Sequence, residues 1–167
     1  MMRDLPKSTL WPLLAALVSA AMLATAHGFE TFGGYAPCQL CLRQREVYWA
    51  AITVGLIGFA AAAIRPKFGR VASVVLVGLF AAGALVAGFH SGVEWKWWPG
   101  PTTCSGPLGG NIAADAIADL LAGAKMRPPA CDVAAWRLFG LSMAGYNAAA
   151  SLVLTVVSAC AAYGARR

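Results

Sequence analysis

The residues best suited to chemistry in this chain are its cysteines, of which there are five. Cys38 and Cys41 are separated by only two residues, so a disulfide between them would close a very small ring and remove little entropy from the unfolded chain. Such a bond is a poor structural staple. Pro37 disfavours helix in the residue before it, so we expect the second helix to begin just after Pro37, with the cysteine pair at its start. At a helix N-terminus the pKa of a thiol falls and its reactive thiolate form becomes more populated. We therefore predict redox chemistry at Cys38 and Cys41.

Two further cysteines, Cys104 and Cys131, lie in a long polar segment whose glycines and prolines predict irregular backbone. From the residues alone they form either a structural disulfide or a second redox pair. Zinc held by all four cysteines is disfavoured, because structural zinc sites usually take two closely spaced pairs. The sequence therefore predicts no metal site. Cys160 lies within an apolar stretch and is interpreted as a helix-packing residue.

Arg45 is the charged residue most closely tied to the cysteine pair. Cys38, Cys41 and Arg45 fall at i, i+3 and i+7, which places them on one helix face. An ionisable residue within a membrane helix indicates function and needs a partner. We predict that Arg45 stabilises a thiolate at Cys41 and binds a polar oxygen of a lipid-soluble electron acceptor. The alternative is an ion pair with Glu30 or Glu46, or a side chain that reaches to the headgroups.

A dithiol that is oxidised repeatedly must pass two electrons to an acceptor. The sequence has no haem attachment motif, flavin fingerprint or iron–sulfur cysteine spacing. A quinone dissolved in the bilayer is the acceptor that a dithiol at the membrane surface could reach.

The elements that position these residues are predicted to be membrane helices. The chain is 59% hydrophobic and 12% charged, whereas a soluble domain carries roughly twice that charged fraction. Four apolar stretches are long enough to cross a bilayer. We predict an all-α membrane protein, a single-domain antiparallel bundle of four transmembrane helices with a short surface helix in the second outer loop. The spans lie at about 10–27, 43–64, 71–90 and 138–164, the outer loops at about 28–42 and 91–137, and the surface helix at about 111–123.

The basic residues predict the orientation of the bundle. They lie before the first span, between the second and third spans, and at the end of the chain, and positive segments tend to remain in the cytoplasm. Both termini are therefore predicted to be cytoplasmic and both cysteine loops periplasmic. The net charge of +6 is interpreted as this topology signal, and no nucleic-acid binding is expected. The first span resembles a signal peptide, but its apolar run is longer than a usual signal core, so we expect it to be retained.

The segment Pro37-Cys38-Gln39-Leu40-Cys41-Leu42-Arg43-Gln44-Arg45, followed by Cys104 and Cys131, resembles the DsbB family of bacterial disulfide bond formation proteins. The resemblance covers essentially the whole chain. It implies an inner-membrane thiol:quinone oxidoreductase that reoxidises a periplasmic, DsbA-like thioredoxin-fold oxidase and reduces ubiquinone or menaquinone. It also implies that a Cys104–Cys131 disulfide takes electrons from the oxidase, with Cys104 making the mixed disulfide. The electrons then reach Cys38 and Cys41, and Cys41 reduces the quinone.

The same resemblance assigns roles to residues outside the cysteine pairs. Arg45 matches the quinone-contacting arginine of the family, and Trp136 matches a family position that an aromatic belt explains equally well. His90 and Glu94 are similar to the family's His-x-x-x-Gln, with Glu in place of Gln and one extra residue before Cys104. A capping or interfacial role is the alternative for His90.

Two other functions remain open from the sequence. One is a quinone-linked relay of the vitamin K epoxide reductase type, although in that family the CxxC follows the loop cysteines and here it precedes them. The other is a non-catalytic four-span scaffold stapled by disulfides.

Overall fold

The chain folds mainly as helices, in agreement with the predicted all-α class. The computed structural model describes residues 7–101 and 130–164, and within them four helices are long and apolar enough to cross a membrane. Their bounds are α1 Lys7–Gly33, α2 Gln39–Ile64, α3 Lys67–Glu94 and α4 Met143–Gly164. A helix suits a segment in lipid because it satisfies its own backbone N–H and C=O groups. The predicted four-span architecture is confirmed.

The first two helices are longer than the apolar stretches that predicted them. α1 continues past the predicted end near residue 27 to Gly33 and carries Glu30 near its end. α2 begins at Gln39, as expected for a helix that starts just after Pro37 and before the membrane span predicted from about residue 43, with Cys38 as its N-cap. Hydropathy marks only the apolar part of a helix, whereas the helix itself continues where its charged side chains find partners. Both cysteines of the CxxC pair therefore belong to the start of α2 and not to a loop.

A two-stranded hairpin occupies the predicted start of the last span. β1 (Arg137–Leu138) pairs antiparallel with β2 (Leu141–Ser142), so α4 begins at Met143 and not near residue 138. The turn needs left-handed backbone at Phe139 and Gly140, with φ of 49° and 81°. Gly140 adopts this conformation without a steric penalty. The hairpin leads the chain from the preceding loop into α4.

The helices pack antiparallel through small residues. A Cβ atom at Gly55 of α2 would lie 2.5 Å from the carbonyl oxygen of Pro12 in α1. At the same end of the bundle, Trp11 Nε1 donates a hydrogen bond to Ser158 Oγ at 3.0 Å, which joins α1 to α4. Small residues permit the close backbone approach by which van der Waals contacts hold helices together in lipid. Phe80 of α3 is fully buried in the centre of this packing.

Large apolar side chains also cover the outside of the bundle. A soluble protein rarely exposes contiguous apolar surface of this extent, whereas a bilayer solvates it. The exposed side chains occur on all four helices and include Leu17, Leu56, Val74, Leu85, Leu152 and Val156. The bundle therefore presents an apolar surface both inward and outward, as a protein in lipid does.

Candidate redox site

The CxxC pair lies at the first turn of α2, as its position after Pro37 predicts. Cys38 is the N-cap, with extended backbone (φ −78°, ψ 171°), and its Sγ accepts a hydrogen bond from the N–H of Cys41 at 3.2 Å. The two sulfur atoms are 2.8 Å apart. Cys38 is buried and Cys41 is partly buried. A thiolate formed here faces the free N–H groups and the positive dipole end of α2.

The two thiols do not ionise independently. Their mutual hydrogen bond is the largest cause that raises the pKa of Cys38 above its ordinary value, and burial raises it further. The physical reason is that removing both protons would place two negative charges side by side in a site shielded from water. The reduced pair therefore carries one negative charge much more readily than two.

His90 and Glu94 of α3 face the thiols. His90 Nε2 lies 3.6 Å from Cys38 Sγ and 3.8 Å from Glu94 Oε1. Both residues are buried, and Glu94 Oε2 has no hydrogen-bond partner. Ser142, in β2, hydrogen-bonds to the Glu94 side chain. Of the two residues that resemble the family's His-x-x-x-Gln, His90 thus contacts the Cys38 sulfur and Glu94 lies behind it, next to the His90 ring.

A chain of polar side chains supports His90 from the opposite side. Gln44 Nε2 lies 2.9 Å from His90 Nδ1 and donates to the carbonyl oxygen of Leu40 at 3.1 Å. Asn147 Nδ2 donates to Gln44 Oε1, and the Tyr48 hydroxyl donates to Asn147 Oδ1. Sequence reasoning did not single out Gln44 or Asn147 as functional. Their presence as polar side chains in membrane-spanning helices was the available signal.

Cys131 joins the CxxC pair in the interior. It forms one buried cluster with Cys38 and Leu40, against which Cys41 packs. It is disulfide-bonded, and its backbone hydrogen-bonds to the His90 ring. Cys104 and the surface helix predicted at about 111–123 lie outside the described residues. The described part of the chain thus brings three of the four predicted catalytic cysteines to one place.

Arg45 lies one turn below Cys41 and is held by the end of α1. Its guanidinium forms an ion pair with Glu30, and Nη2 donates to the carbonyl oxygen of Ala26 at 3.2 Å. Its side chain is only 14% exposed, against 59% for Arg43. The sequence allows this ion pair with Glu30 as an alternative to a role of Arg45 in binding the electron acceptor. The pairing also explains why a charged residue is stable at this depth, because each charge offsets the desolvation of the other.

A cavity of about 450 Å³ opens beside the thiols, within the size range of small-molecule sites. Most of its wall is apolar, and its polar lining includes the two thiols and His90. The lining includes Met22, Phe29, Cys38, Cys41, Gln44, Arg45, Tyr48, His90, Glu94, Trp136, Met143 and Asn147. The Trp136 ring packs between Phe29 and Tyr146, with centroid distances of 5.4 and 6.3 Å. The cavity suits a flat apolar molecule with polar atoms on its rim.

Three side chains of the site have the types and spacing of metal ligands. The sulfurs of Cys38 and Cys41 and a ring nitrogen of His90 lie within 4.8 Å of one another. Coordination by His90 Nε2 would require a free lone pair on that atom. The Gln44 contact with Nδ1 favours a proton on Nε2, so this arrangement suits hydrogen bonding to sulfur better than metal binding.

Comparison with known proteins places these observations in a family. The family model described as disulfide bond formation protein DsbB matches residues 8–161. A curated protein of Methylococcus capsulatus, named disulfide bond formation protein B, is 36% identical over 88 residues. That match covers 52% of each chain, so the chain spans about half the length of the curated relative it matches.

Proposed function

The chain belongs to the DsbB family, and on that premise we propose that it is a membrane thiol:quinone oxidoreductase that reoxidises a thioredoxin-fold disulfide donor. Electrons pass from two thiols of the donor through the cysteines of this chain to a membrane quinone, ubiquinone or menaquinone. One observation carries the proposal: Cys131, Cys38 and Cys41 share a buried cluster beside an apolar cavity. A purely structural disulfide has no need of a neighbouring dithiol or of a cavity.

The first exchange is assigned to Cys104 and Cys131. A thiolate of the donor attacks their disulfide and forms a mixed disulfide with Cys104. The second thiol of the donor then resolves that bond, leaving an oxidised donor and two thiols on this chain. The disulfide bond at Cys131 supports an oxidised starting state for this pair.

The second exchange moves the same two electrons to the CxxC pair. A thiolate of the first pair attacks the Cys38–Cys41 disulfide, one sulfur leaves as a thiolate, and resolution re-forms the first disulfide. The helix N-terminus at Cys38 stabilises the departing anion. Packing of Cys131 with Cys38 in one cluster supports this step, because exchange needs the sulfurs to meet.

The cavity fits a quinone headgroup, because its walls are mainly apolar and its polar lining includes the thiols, Arg45 and His90. When bound, a quinone accepts two electrons and two protons, which returns Cys38 and Cys41 to the disulfide. Arg45 is assigned to bind a ring oxygen through its guanidinium. His90, 3.6 Å from the Cys38 sulfur, and Glu94, 3.8 Å from His90, both line the cavity and are assigned to bind the same molecule and hold protons beside it.

The proposed location is the bacterial inner membrane, with both termini cytoplasmic and the cysteine loops periplasmic. Arg65, Lys67 and Arg70 lie at the end of the bundle opposite the CxxC pair, in keeping with positive segments that stay in the cytoplasm. The proposed partners are therefore a periplasmic DsbA-like oxidase on one side of the cysteines and the quinone pool of the bilayer on the other.

The deciding experiment is reconstitution of the purified protein with a quinone and a reduced thioredoxin-fold substrate, with quinol formation followed by absorbance. Wild-type protein should form quinol in proportion to oxidised substrate, and the Cys38→Ala, Cys41→Ala double variant should form none. Equal rates from the double variant would overturn the proposal. Cysteines that exchange slowly and without regard to quinone would instead favour the scaffold function.

A further inference from the structure

We propose that Gln44 and Asn147 are positioning residues that hold neutral His90 with its proton on Nε2, the ring nitrogen that faces the Cys38 sulfur. The inference deepens the proposed function and rests on it for its role in electron transfer. It concerns residues that the sequence analysis did not assign. The neighbours of each side-chain amide determine which of its two terminal atoms is the nitrogen and which is the oxygen.

The carbonyl oxygen of Leu40 fixes the orientation of the Gln44 amide. A backbone carbonyl can only accept a hydrogen bond, so the atom that faces it at 3.1 Å must be the amide nitrogen of Gln44. Reversing the amide would place two acceptor oxygens against each other in a buried site, which leaves both unsatisfied. The same nitrogen has a second hydrogen, which points at His90 Nδ1 at 2.9 Å.

Asn147 and Tyr48 support the same orientation from α4 and from the next turns of α2. Gln44 Oε1 accepts from Asn147 Nδ2, and Asn147 Oδ1 accepts from the Tyr48 hydroxyl. The Tyr48 oxygen also lies 3.3 Å from Ser151 Oγ, which can donate to it. Each of these hydrogen bonds between side chains then joins a donor to an acceptor. Interlocked hydrogen bonds of this kind favour one arrangement over its reverse.

The orientation of the Gln44 amide determines which nitrogen of the His90 ring carries the proton. A neutral imidazole has one N–H donor and one acceptor nitrogen. Because Nδ1 accepts from Gln44, the proton is on Nε2. That atom lies 3.6 Å from Cys38 Sγ and 3.8 Å from Glu94 Oε1, and the backbone of Cys131 also hydrogen-bonds to the ring. An N–H donor stabilises a sulfur that carries negative charge more than one that does not. The two sulfurs share one hydrogen bond at 2.8 Å, so His90 in this form stabilises the negative charge of the reduced pair from its Cys38 end.

The tautomer can be observed directly, because the chain has two histidines, His27 and His90. The full-length protein would be labelled with ¹⁵N-histidine, solubilised in detergent, and recorded by long-range ¹H–¹⁵N correlation, with His27→Gln to assign the signals. We expect His90 to be neutral and protonated on Nε2. In Gln44→Met, which keeps the side-chain length and removes the amide, we expect a mixture of tautomers. A wild-type proton on Nδ1, or an unchanged Gln44→Met spectrum, would overturn the inference.

A second measurement separates positioning from simple stability. In the reduced protein at a fixed neutral pH, alkylation of the Cys38 and Cys41 peptide by iodoacetamide would be followed by mass spectrometry. Without Gln44 the Nε2–H of His90 is no longer held toward the cysteine pair, and loss of that hydrogen bond to the charged pair should slow this reaction about tenfold in Gln44→Met. Ser73→Ala is the matched control, since it removes a buried hydroxyl that bonds to the Gly69 carbonyl at 2.8 Å, away from the site.

The two proposals fail in different ways. An Nε2 tautomer that requires Gln44, in a protein that reduces no quinone, would support this inference and contradict the proposed function. Normal quinone reduction with equal alkylation rates in Gln44→Met and Ser73→Ala would support the function and contradict the inference.

Discussion

Cys131 lies in the same buried cluster as Cys38, although the two residues are far apart in sequence. The first belongs to the segment before the β hairpin and the second to the start of α2. Lys96, just beyond α3, forms an ion pair with Asp132 and fastens the Cys131 segment over the site. Thiol–disulfide exchange requires a mixed disulfide between the two pairs, and this packing is the arrangement that such an intermediate needs.

The first prediction follows from that proximity. In a Cys41→Ser, Cys104→Ser variant, the remaining sulfurs of Cys38 and Cys131 should form an intramolecular disulfide under mild oxidation. Non-reducing electrophoresis and mass spectrometry of the linked peptides would detect it. The further change Cys131→Ser should abolish the bond. Recovery of only free thiols, or of dimers linked through other cysteines, would contradict the proposed route between the pairs.

The second prediction concerns the pH dependence of the reduced CxxC pair. Because the hydrogen bond with Cys41 raises the pKa of Cys38, the wild-type pair should lose its protons in two well-separated steps. Cys41→Ala removes that cause, so the pKa of Cys38 should fall. Iodoacetamide reacts with the thiolate, and its half-maximal rate at Cys38 should then occur at a lower pH than the second wild-type step. A midpoint that stays or rises would show that burial dominates.

The third prediction tests Arg45 against a neighbour of the same type. Arg45→Met should raise the apparent KM for quinone about tenfold, the effect of losing one charged hydrogen bond. Arg43→Met should leave it unchanged, because Arg43 is exposed and pairs with Glu46 at 3.0 Å. Both variants would be assayed in the reconstituted system at matched protein levels. An equal KM in both variants would contradict quinone binding by Arg45 and would indicate a structural role for it as the partner of Glu30.

The fourth prediction concerns helix packing. A methyl group at Gly55 would lie 2.5 Å from the Pro12 carbonyl oxygen, which cannot move without displacing α1. Gly55→Ala should therefore destabilise the bundle by about 1–3 kcal/mol, the usual cost of overpacking. Gly78→Ala is the matched control, because nothing lies within 4 Å of a Cβ there. Thermal unfolding in detergent should show a lower Tm for the first variant alone.

Much of the fold could be predicted from the sequence, because a segment in lipid has few ways to satisfy its backbone hydrogen bonds. A long apolar stretch in a bilayer must satisfy its backbone internally, so the four stretches predicted four helices. Pro37 disfavours helix in the residue before it, so the start of α2 at Gln39 was predictable. The end of α1 and the start of α4 were not. They depend on the ion pair between Glu30 and Arg45 and on the hairpin at 137–142, neither of which hydropathy records.

The sequence by itself determined which residue types meet the membrane surface: a CxxC pair at a helix start and an arginine one turn further on. The tertiary structure alone decided which partner each one takes. Arg45 could pair with Glu30 or Glu46, and only the antiparallel packing of α1 on α2 selects Glu30. The contacts of Gln44 with His90 and with Asn147 join three helices. Local spacing fixes which residues share a helix face, but the direction of a hydrogen bond between helices depends on atoms brought together only by packing.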